Sequence, residues 1–324
     1  MSVKQRVLGK SGLVVSEIGH GLWGMGGWTD ADDKVSRAAL RLSVEGGCTF
    51  FDSAFAYGNG HSDTLASELA HEHRHRPLVL ASKIPPANWK WPSTPATPLN
   101  GVFPRAHVLD YAERIRRAFG RTIDLLQFHV WEDAWAQQAE WQDTVAELKA
   151  NGVIKAFGLS LNRWQPENGI LAIETGFVDA VQVIYNVFDQ SPEDSLFPVC
   201  RARNVGVIAR VPFDEGSLGG KMTAKTRFPQ DDWRSRYFGP ENLPQTIARV
   251  EALKKIVPKG MSLPEVALRF ILSEPTVSTV IAGMRAPEHV RANLAASHKG
   301  PLPEDMIAKL RAHRWDRKPA SWSD

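Results

Sequence analysis

The chain has 324 residues, 43% of them hydrophobic and 23% charged, a balance that excludes a wholly disordered, collagen-like or coiled-coil protein. Its 39 basic and 36 acidic residues leave a net charge of +3 with no basic block, so nothing points to nucleic acid as a partner. Cys48 and Cys200 form no CxxC pair, and no apolar run approaches the ~20 residues that span a bilayer, so the expected setting is a reducing cytoplasm with no membrane partner.

The opening MSVKQRVLGKSG lacks the apolar core of a signal peptide. Residues 6–15 read as a β-hairpin turning at Lys10 to Gly12. Short apolar runs and amphipathic stretches then alternate. Strands are predicted at 18–21, 48–51, 78–81, 123–128, 153–159, 180–185, 205–209 and 276–282. Helices are predicted from Asp32 to about Gly46 and near 61–74, 105–120, 138–151, 192–204, 244–257, 263–273 and 287–297. The expected strand ends Gly21, Asp52 and Lys83 fall 31 residues apart, as do His129 and Ser160. Eight such units imply a parallel α/β (β/α)8 barrel, or TIM barrel, capped by the hairpin. The expected organisation is one domain over 1–324: hairpin cap about 6–16, barrel about 17–298, C-terminal helix and tail about 299–324. Long loops at 84–103 and 211–242 both follow strands, which puts them on the C-terminal face, where barrel active sites are built.

The strand ends carry the chemistry. Asp52 ends the second strand and Tyr57 follows it; Lys83 ends the third and His129 the fourth. A tyrosine is a poor acid at neutral pH, but a nearby ammonium favours its phenolate. Asp52 can keep a buried Lys83 charged, and His129 can hydrogen-bond and orient a carbonyl oxygen. Together they suit protonation of an oxygen that becomes alkoxide as hydride reaches carbon.

Several patterns have plainer readings. Gly19-His-Gly21-Leu-Trp-Gly24 matches GxGxxG, but Met25 to Asp30 follows where a dinucleotide fingerprint needs a helix. His71 and His75 are four apart, yet the surrounding charge and Pro77 suit a solvated helix end, and no metal is expected. Trp23, Trp89, Trp91, Trp131 and Trp135 suit either loop packing or an aromatic-walled substrate site, with Trp23, Trp89 and Trp131 the chosen pocket residues.

The run Phe51-Asp52-Ser-Ala-x-x-Tyr57-Gly58, a strand ending in Lys83, and Asp124-Leu-Leu-Gln-Phe-His129 resemble the aldo-keto reductase superfamily. So do Leu8 to Gly19, Asn151 to Ser160, Gln182-x-x-Tyr-Asn186 and Ile281 to Asn293. The resemblance implies reduction of a small-molecule aldehyde or ketone with NADPH, or NADH. In it, Tyr57 is the general acid tuned by Lys83 and Asp52, and His129 positions the carbonyl. Ser160 and Gln182 would meet the nicotinamide carboxamide, Pro212 to Lys221 the pyrophosphate, Arg285 the 2′-phosphate and Asn293 the adenine. Gly21, Leu22, Trp23, Asp52, Arg210, Phe213, Gly216, Leu218, Gly283 and His289 would complete the cofactor contacts.

This chain departs from the common pattern at Leu161, where asparagine is usual, at Arg210, where an aromatic is usual, and at His289. Asp214 and Glu215 put acid beside the expected pyrophosphate unless they face away or pair with Lys221. Two other functions compete: a nucleotide-binding sensor or accessory subunit with little turnover, and a Schiff-base aldolase using Lys83, which an adjacent aspartate disfavours. The oligomeric state and substrate are not legible.

Overall fold

The computed structural model describes residues 3–26 and 31–317. Residues 27–30 of the loop after the first barrel strand, and 318–324 of the expected tail, lie outside the described residues. β1 (Gln5–Val7) and β2 (Val14–Ser16) pair antiparallel as the hairpin. Then follow β3 (Ile18–Gly21), α1 (Asp33–Glu45), β4 (Phe50–Asp52), α2 (His61–Glu72), β5 (Val79–Ile84), α3 (Arg105–Phe119), β6 (Ile123–Phe128) and α4 (Ala139–Ala150). The second half comprises β7 (Ile154–Ser160), α5 (Ile170–Glu174), β8 (Ala180–Ile184), α6 (Leu196–Arg203), β9 (Gly206–Arg210), α7 (Arg234–Tyr237), α8 (Asn242–Lys254), α9 (Leu263–Leu272), β10 (Val277–Gly283), α10 (Pro287–His298) and α11 (Glu304–Arg311).

β3 to β10 pair in sequence order, all parallel, and β10 closes on β3, so the eight strands form a closed barrel with no free edge. The (β/α)8 reading holds. β3 and β6 match the expected bounds and the other strands shift by one to three residues: β4 begins at Phe50 rather than Cys48, and β5 takes in the expected strand end at Lys83 and runs on to Ile84. Lys83 therefore lies within the sheet, where it pairs in register with Gln127. α5 and α7 were not expected; both are too short to show a helical period.

Period-two alternation explains what the barrel holds. Phe50, Val79, Ala81, Leu125, Ala156, Ala180, Ile208 and Ile281 form one buried cluster, and Leu8 and Val15 of the hairpin belong to it, closing the N-terminal end. Two residues further along the same faces come Asp52, Lys83, Gln127, Gln182 and Arg210. The barrel therefore passes from an apolar plug at its N-terminal end to a polar layer at its C-terminal mouth. The hairpin approaches so closely that a Cβ on Gly9, at φ +53°, would lie 2.2 Å from the backbone nitrogen of Gly206. Among the described residues no helix is long and apolar enough to cross a membrane.

Candidate active site

The mouth brings Asp52, Tyr57, Lys83 and His129 together. Lys83 is fully buried and donates from Nζ to Asp52 Oδ2 at 2.6 Å and to the Ser53 carbonyl at 2.7 Å. The other carboxylate oxygen, Asp52 Oδ1, accepts from Gln182 Nε2 at 2.9 Å and Gln127 Nε2 at 3.3 Å. Gln127 escaped the sequence reading, although its place two residues before His129 on an inward face was available to it. The Lys83 ammonium lies 5.3 Å from the centroid of the Tyr57 ring, and the His129 ring meets Tyr57 edge-on at 5.6 Å. A glycine lets the loop after β3 close on this group: a Cβ on Gly26 would lie 2.6 Å from the Tyr57 backbone.

The electrostatics fix the proton states. Burial opposes the charge on Lys83, but Asp52 and Tyr57 overcome it, and the ammonium holds its proton more tightly than a free lysine. Burial raises the Tyr57 phenol, Lys83 and Arg210 pull it down, Asp52 adds to the rise, and the net shift is upward. A nearby ammonium alone predicts a lowered phenol; here desolvation outweighs it, and Tyr57 stays protonated at neutral pH. Burial, then Lys83 and Arg210, push His129 well below its usual range, so the ring is neutral. Its buried Nδ1 has no hydrogen-bond partner among the described residues.

Arg210 ends β9 at the same mouth. It donates from Nη2 to the Leu161 carbonyl at 2.8 Å, and its buried Nε has no partner among the described residues. Burial and the neighbouring Arg163 lower its pKa to about 10. Ser160 pairs in register with Gln182, so both face the mouth from adjacent strands. Leu161 is buried, and Asn162 does not stand in for the usual asparagine: its Nδ2 donates to the Trp131 carbonyl at 3.0 Å and Glu132 Oε1 at 2.8 Å, bracing a loop.

The segment after β9 turns tightly, with Gly216 and Leu218 both donating to the Phe213 carbonyl at 2.9 and 3.0 Å. The Leu218 side chain packs in the core, so only its backbone can meet a ligand. The acidic pair here is turned aside, though not by Lys221, which is exposed. Asp214 is buried and accepts from Ser217 at 2.6 Å, Tyr237 at 2.9 Å and Arg317 at 2.8 Å. Glu215 pairs with Arg163 at 2.9 Å. At the next strand end, Gly283, Arg285 and His289 are exposed, while Asn293 is buried one turn beyond His289 on α10. A Cβ on Gly24 would lie 2.8 Å from Arg285 Cδ, so this glycine makes room for the arginine beside the loop that carries Leu22 and Trp23.

The tryptophans divide. Trp23, Trp89 and Trp91 are 40%, 49% and 39% exposed, and Trp91 meets the His129 ring edge-on at 5.5 Å. Trp131, expected in the substrate pocket, is instead fully buried, packed against Trp135 and Trp141 at centroid distances of 5.6 and 5.2 Å. It supports the loop; Trp91 takes the place at the mouth.

Behind the site lies a second buried carboxyl, Asp63 of α2. It accepts from Ser82 Oγ at 2.8 Å, and its Oδ2 has no partner among the described residues. Burial pushes it up to about 6, against Ser53, Ser82 and Lys83, which lower it; Asp52 adds to the rise. The folded state thus binds this proton more tightly than the unfolded chain. Stability falls as pH rises from about 4 through about 6, by about 2–3 kcal/mol for a rise of this size. Asp63→Asn is expected to remove that slope. Urea unfolding of both proteins at about pH 4.5 and about pH 7.5 tests it: the variant gains on the wild type at the higher pH, and a pH-independent difference would refute the assignment.

The model of the Aldo/keto reductase family matches residues 17–314, and the chain belongs to that family. Aldo-keto reductase YhdN of Bacillus subtilis is 27% identical over 87% of this chain and 85% of its own length. Pyridoxal 4-dehydrogenase of Microbacterium luteolum is 26% identical over 95% and 97%. A probable voltage-gated potassium channel β subunit of Arabidopsis thaliana is 25% identical over 91% of each chain. Among solved structures, the holo form of an aldo-keto reductase from Bacillus halodurans superposes with a TM-score of 0.78 at 22% identity, covering 99% of this chain and 100% of its own.

Proposed function

We propose that the protein reduces an aldehyde or ketone by hydride transfer from NADPH, with NADH as the alternative donor, and that Tyr57 protonates the oxygen. The observation that carries this reading is the meeting of Tyr57, Lys83, Asp52 and His129 at one barrel mouth.

The site fits such a cofactor. The Nε of Arg210 and Nδ1 of His129, without partners among the described residues, are unmet polar groups at the mouth, and the donor set ranges from the Gln182 amide on β8 to the Arg285 guanidinium just beyond β10. Ser160 and Gln182 would hold the carboxamide, with Gly21, Leu22, Trp23 and Asp52 bordering the ring. Pro212, Phe213, Gly216, Leu218 and Lys221 would receive the pyrophosphate, Arg285 the 2′-phosphate, and Gly283, His289 and Asn293 the adenosine. A guanidinium fork suits a phosphate.

When bound, the nicotinamide supplies hydride to the carbonyl carbon. His129, kept neutral, donates a hydrogen bond to the carbonyl oxygen and orients it. Tyr57 delivers its proton to that oxygen as negative charge builds there. Lys83 stabilises the tyrosinate left behind and so offsets part of the cost that burial imposes on that anion. Asp52, gripped by Gln127 and Gln182, keeps Lys83 charged, and that charge argues against a Schiff-base role. Trp23, Trp89 and Trp91 offer an aromatic rim to the organic part of a substrate.

The test is a fluorescence titration with NADPH and NADH, followed by a panel of aldehydes and ketones with the tighter nucleotide. Binding with turnover supports the reading. Tight binding without turnover on the whole panel would favour a sensor or accessory subunit; two of the relatives are named as probable voltage-gated potassium channel β subunits.

A further inference from the structure

A second buried ionic cluster joins Arg317, beyond α11, to the segment after β9. Arg317 is buried, and its guanidinium sits between two buried carboxylates. Nη1 donates to Asp214 Oδ1 at 2.8 Å and to the Tyr237 hydroxyl at 2.7 Å, while Nη2 donates to Asp189. The same guanidinium lies over the rings of Trp164 and Trp315, 5.2 and 4.7 Å from their centroids. The approach to Arg317 is fixed as well. The Trp315 backbone donates to the Phe188 carbonyl at 2.8 Å, Arg314 bonds Asp194 at 2.8 Å, and Arg311 pairs with Glu193. Residues 311–317 are thus laid across the loop after β8 and bring Arg317 against the loop after β9.

The segment it reaches is strained. Val211, Asp214 and Glu215 have φ of 57°, 44° and 55°, and none is glycine. Left-handed backbone at non-glycine residues, a β-branched valine above all, persists only where the surroundings over-determine it. Each strained residue here has its own tether. Asn186 Nδ2 donates to the Val211 carbonyl at 3.1 Å, Asp214 is held by Ser217, Tyr237 and Arg317, and Glu215 by Arg163. Charge adds to shape. Asp214 without Arg317 would leave a buried carboxylate under a segment expected to receive a doubly charged pyrophosphate, and like charges repel strongly in a poorly hydrated site.

We propose that the C-terminal segment is a cofactor-positioning strap: Arg317 holds residues 211–220 in the shape that accepts a pyrophosphate and cancels the acid beneath it. The proposal rests on the reading of this segment as the pyrophosphate site. Arg317 touches no reacting atom and is a positioning residue. Its mark is therefore a loss of nucleotide affinity with a much smaller change in kcat at saturating nucleotide. A strap that served the fold alone would lower thermal stability and leave the nucleotide Kd of the folded protein unchanged.

The experiment is an NADPH fluorescence titration on the full chain for wild type, Arg317→Met, Arg317→Lys and the double variant Asp214→Asn/Arg317→Met, with melting temperatures recorded in parallel. Arg317→Met is expected to raise Kd by roughly 5- to 100-fold, the range of an ordinary coupling between linked sites. Arg317→Lys keeps the charge but loses the fork across two carboxylates, so its loss is smaller. The double variant regains part of the affinity, because the repelling carboxylate is gone. Should Arg317→Met fail to fold, Arg317→Lys and Tyr237→Phe decide, and wild-type Kd in both overturns the proposal. A folded Arg317→Met with wild-type Kd also overturns it while leaving the cofactor reading intact. A wild type that binds neither NADPH nor NADH overturns both.

Discussion

Tyr57→Phe is expected to bind NADPH as wild type does and to reduce carbonyls roughly 100- to 10,000-fold more slowly, the usual contribution of one positioned general acid. The change deletes one hydroxyl and keeps the ring that packs edge-on against His129. Lys83 keeps both of its strong bonds, to Asp52 and to the Ser53 carbonyl, so the fold and the charge at the mouth survive. What disappears is the proton. The loss should fall on kcat and on kcat/KM alike, because the transfer is made only as charge develops in the transition state. Stopped-flow titration and steady-state turnover of the same preparation separate the two effects, and turnover within about threefold of wild type would remove Tyr57 from the reaction.

Lys83→Met has a larger structural consequence. It removes the cation from a pair in which both partners are buried and, among the described residues, leaves the Asp52 carboxylate to the amides of Gln127 and Gln182. Breaking a buried pair on one side costs about 3–5 kcal/mol, because an uncompensated charge remains. Turnover should also fall by at least about 100-fold, since nothing then stabilises the tyrosinate. Stability and activity can be told apart with Lys83→Met/Asp52→Leu, which removes the stranded charge. Urea unfolding should show much of the stability restored, while turnover stays lost. A double variant that regains both would mean that the pair serves the fold alone.

Much of the fold and the heart of the site were legible because a barrel strand has a period of two. Once Ile123 to Phe128 reads as a strand, Leu125, Gln127 and His129 must share a face, and the same step leads from Val79 through Ala81 to Lys83. Strand spacing by itself places Asp52, Lys83 and His129 on one rim. Periodicity stops where the strands stop. It does not distinguish Trp91 from Trp131, because both follow strand ends on irregular loops. Which one faces the mouth depends on whether the pocket beside it is already filled, and Trp135 and Trp141 fill it around Trp131. Asp214 and Glu215 were hard for a related reason. Whether an acid repels a phosphate or is buried away from it depends on partners at Arg163 and Arg317, the latter more than 100 residues distant. The net rise of the Tyr57 phenol was equally out of reach, since desolvation belongs to the assembled barrel and not to any short stretch of chain.

The most direct measurement of the central claim follows a label. The protein is mixed with NADPH in which both hydrogens at C4 of the nicotinamide are deuterium and with the best aldehyde of the panel, and the alcohol is read by mass spectrometry. Direct hydride transfer at this mouth puts one deuterium on the carbinol carbon for each NADPH consumed, and Tyr57→Phe slows its appearance without changing that ratio. Alcohol without deuterium, or substrate trapped covalently on Lys83 with no nucleotide consumed, would contradict the account.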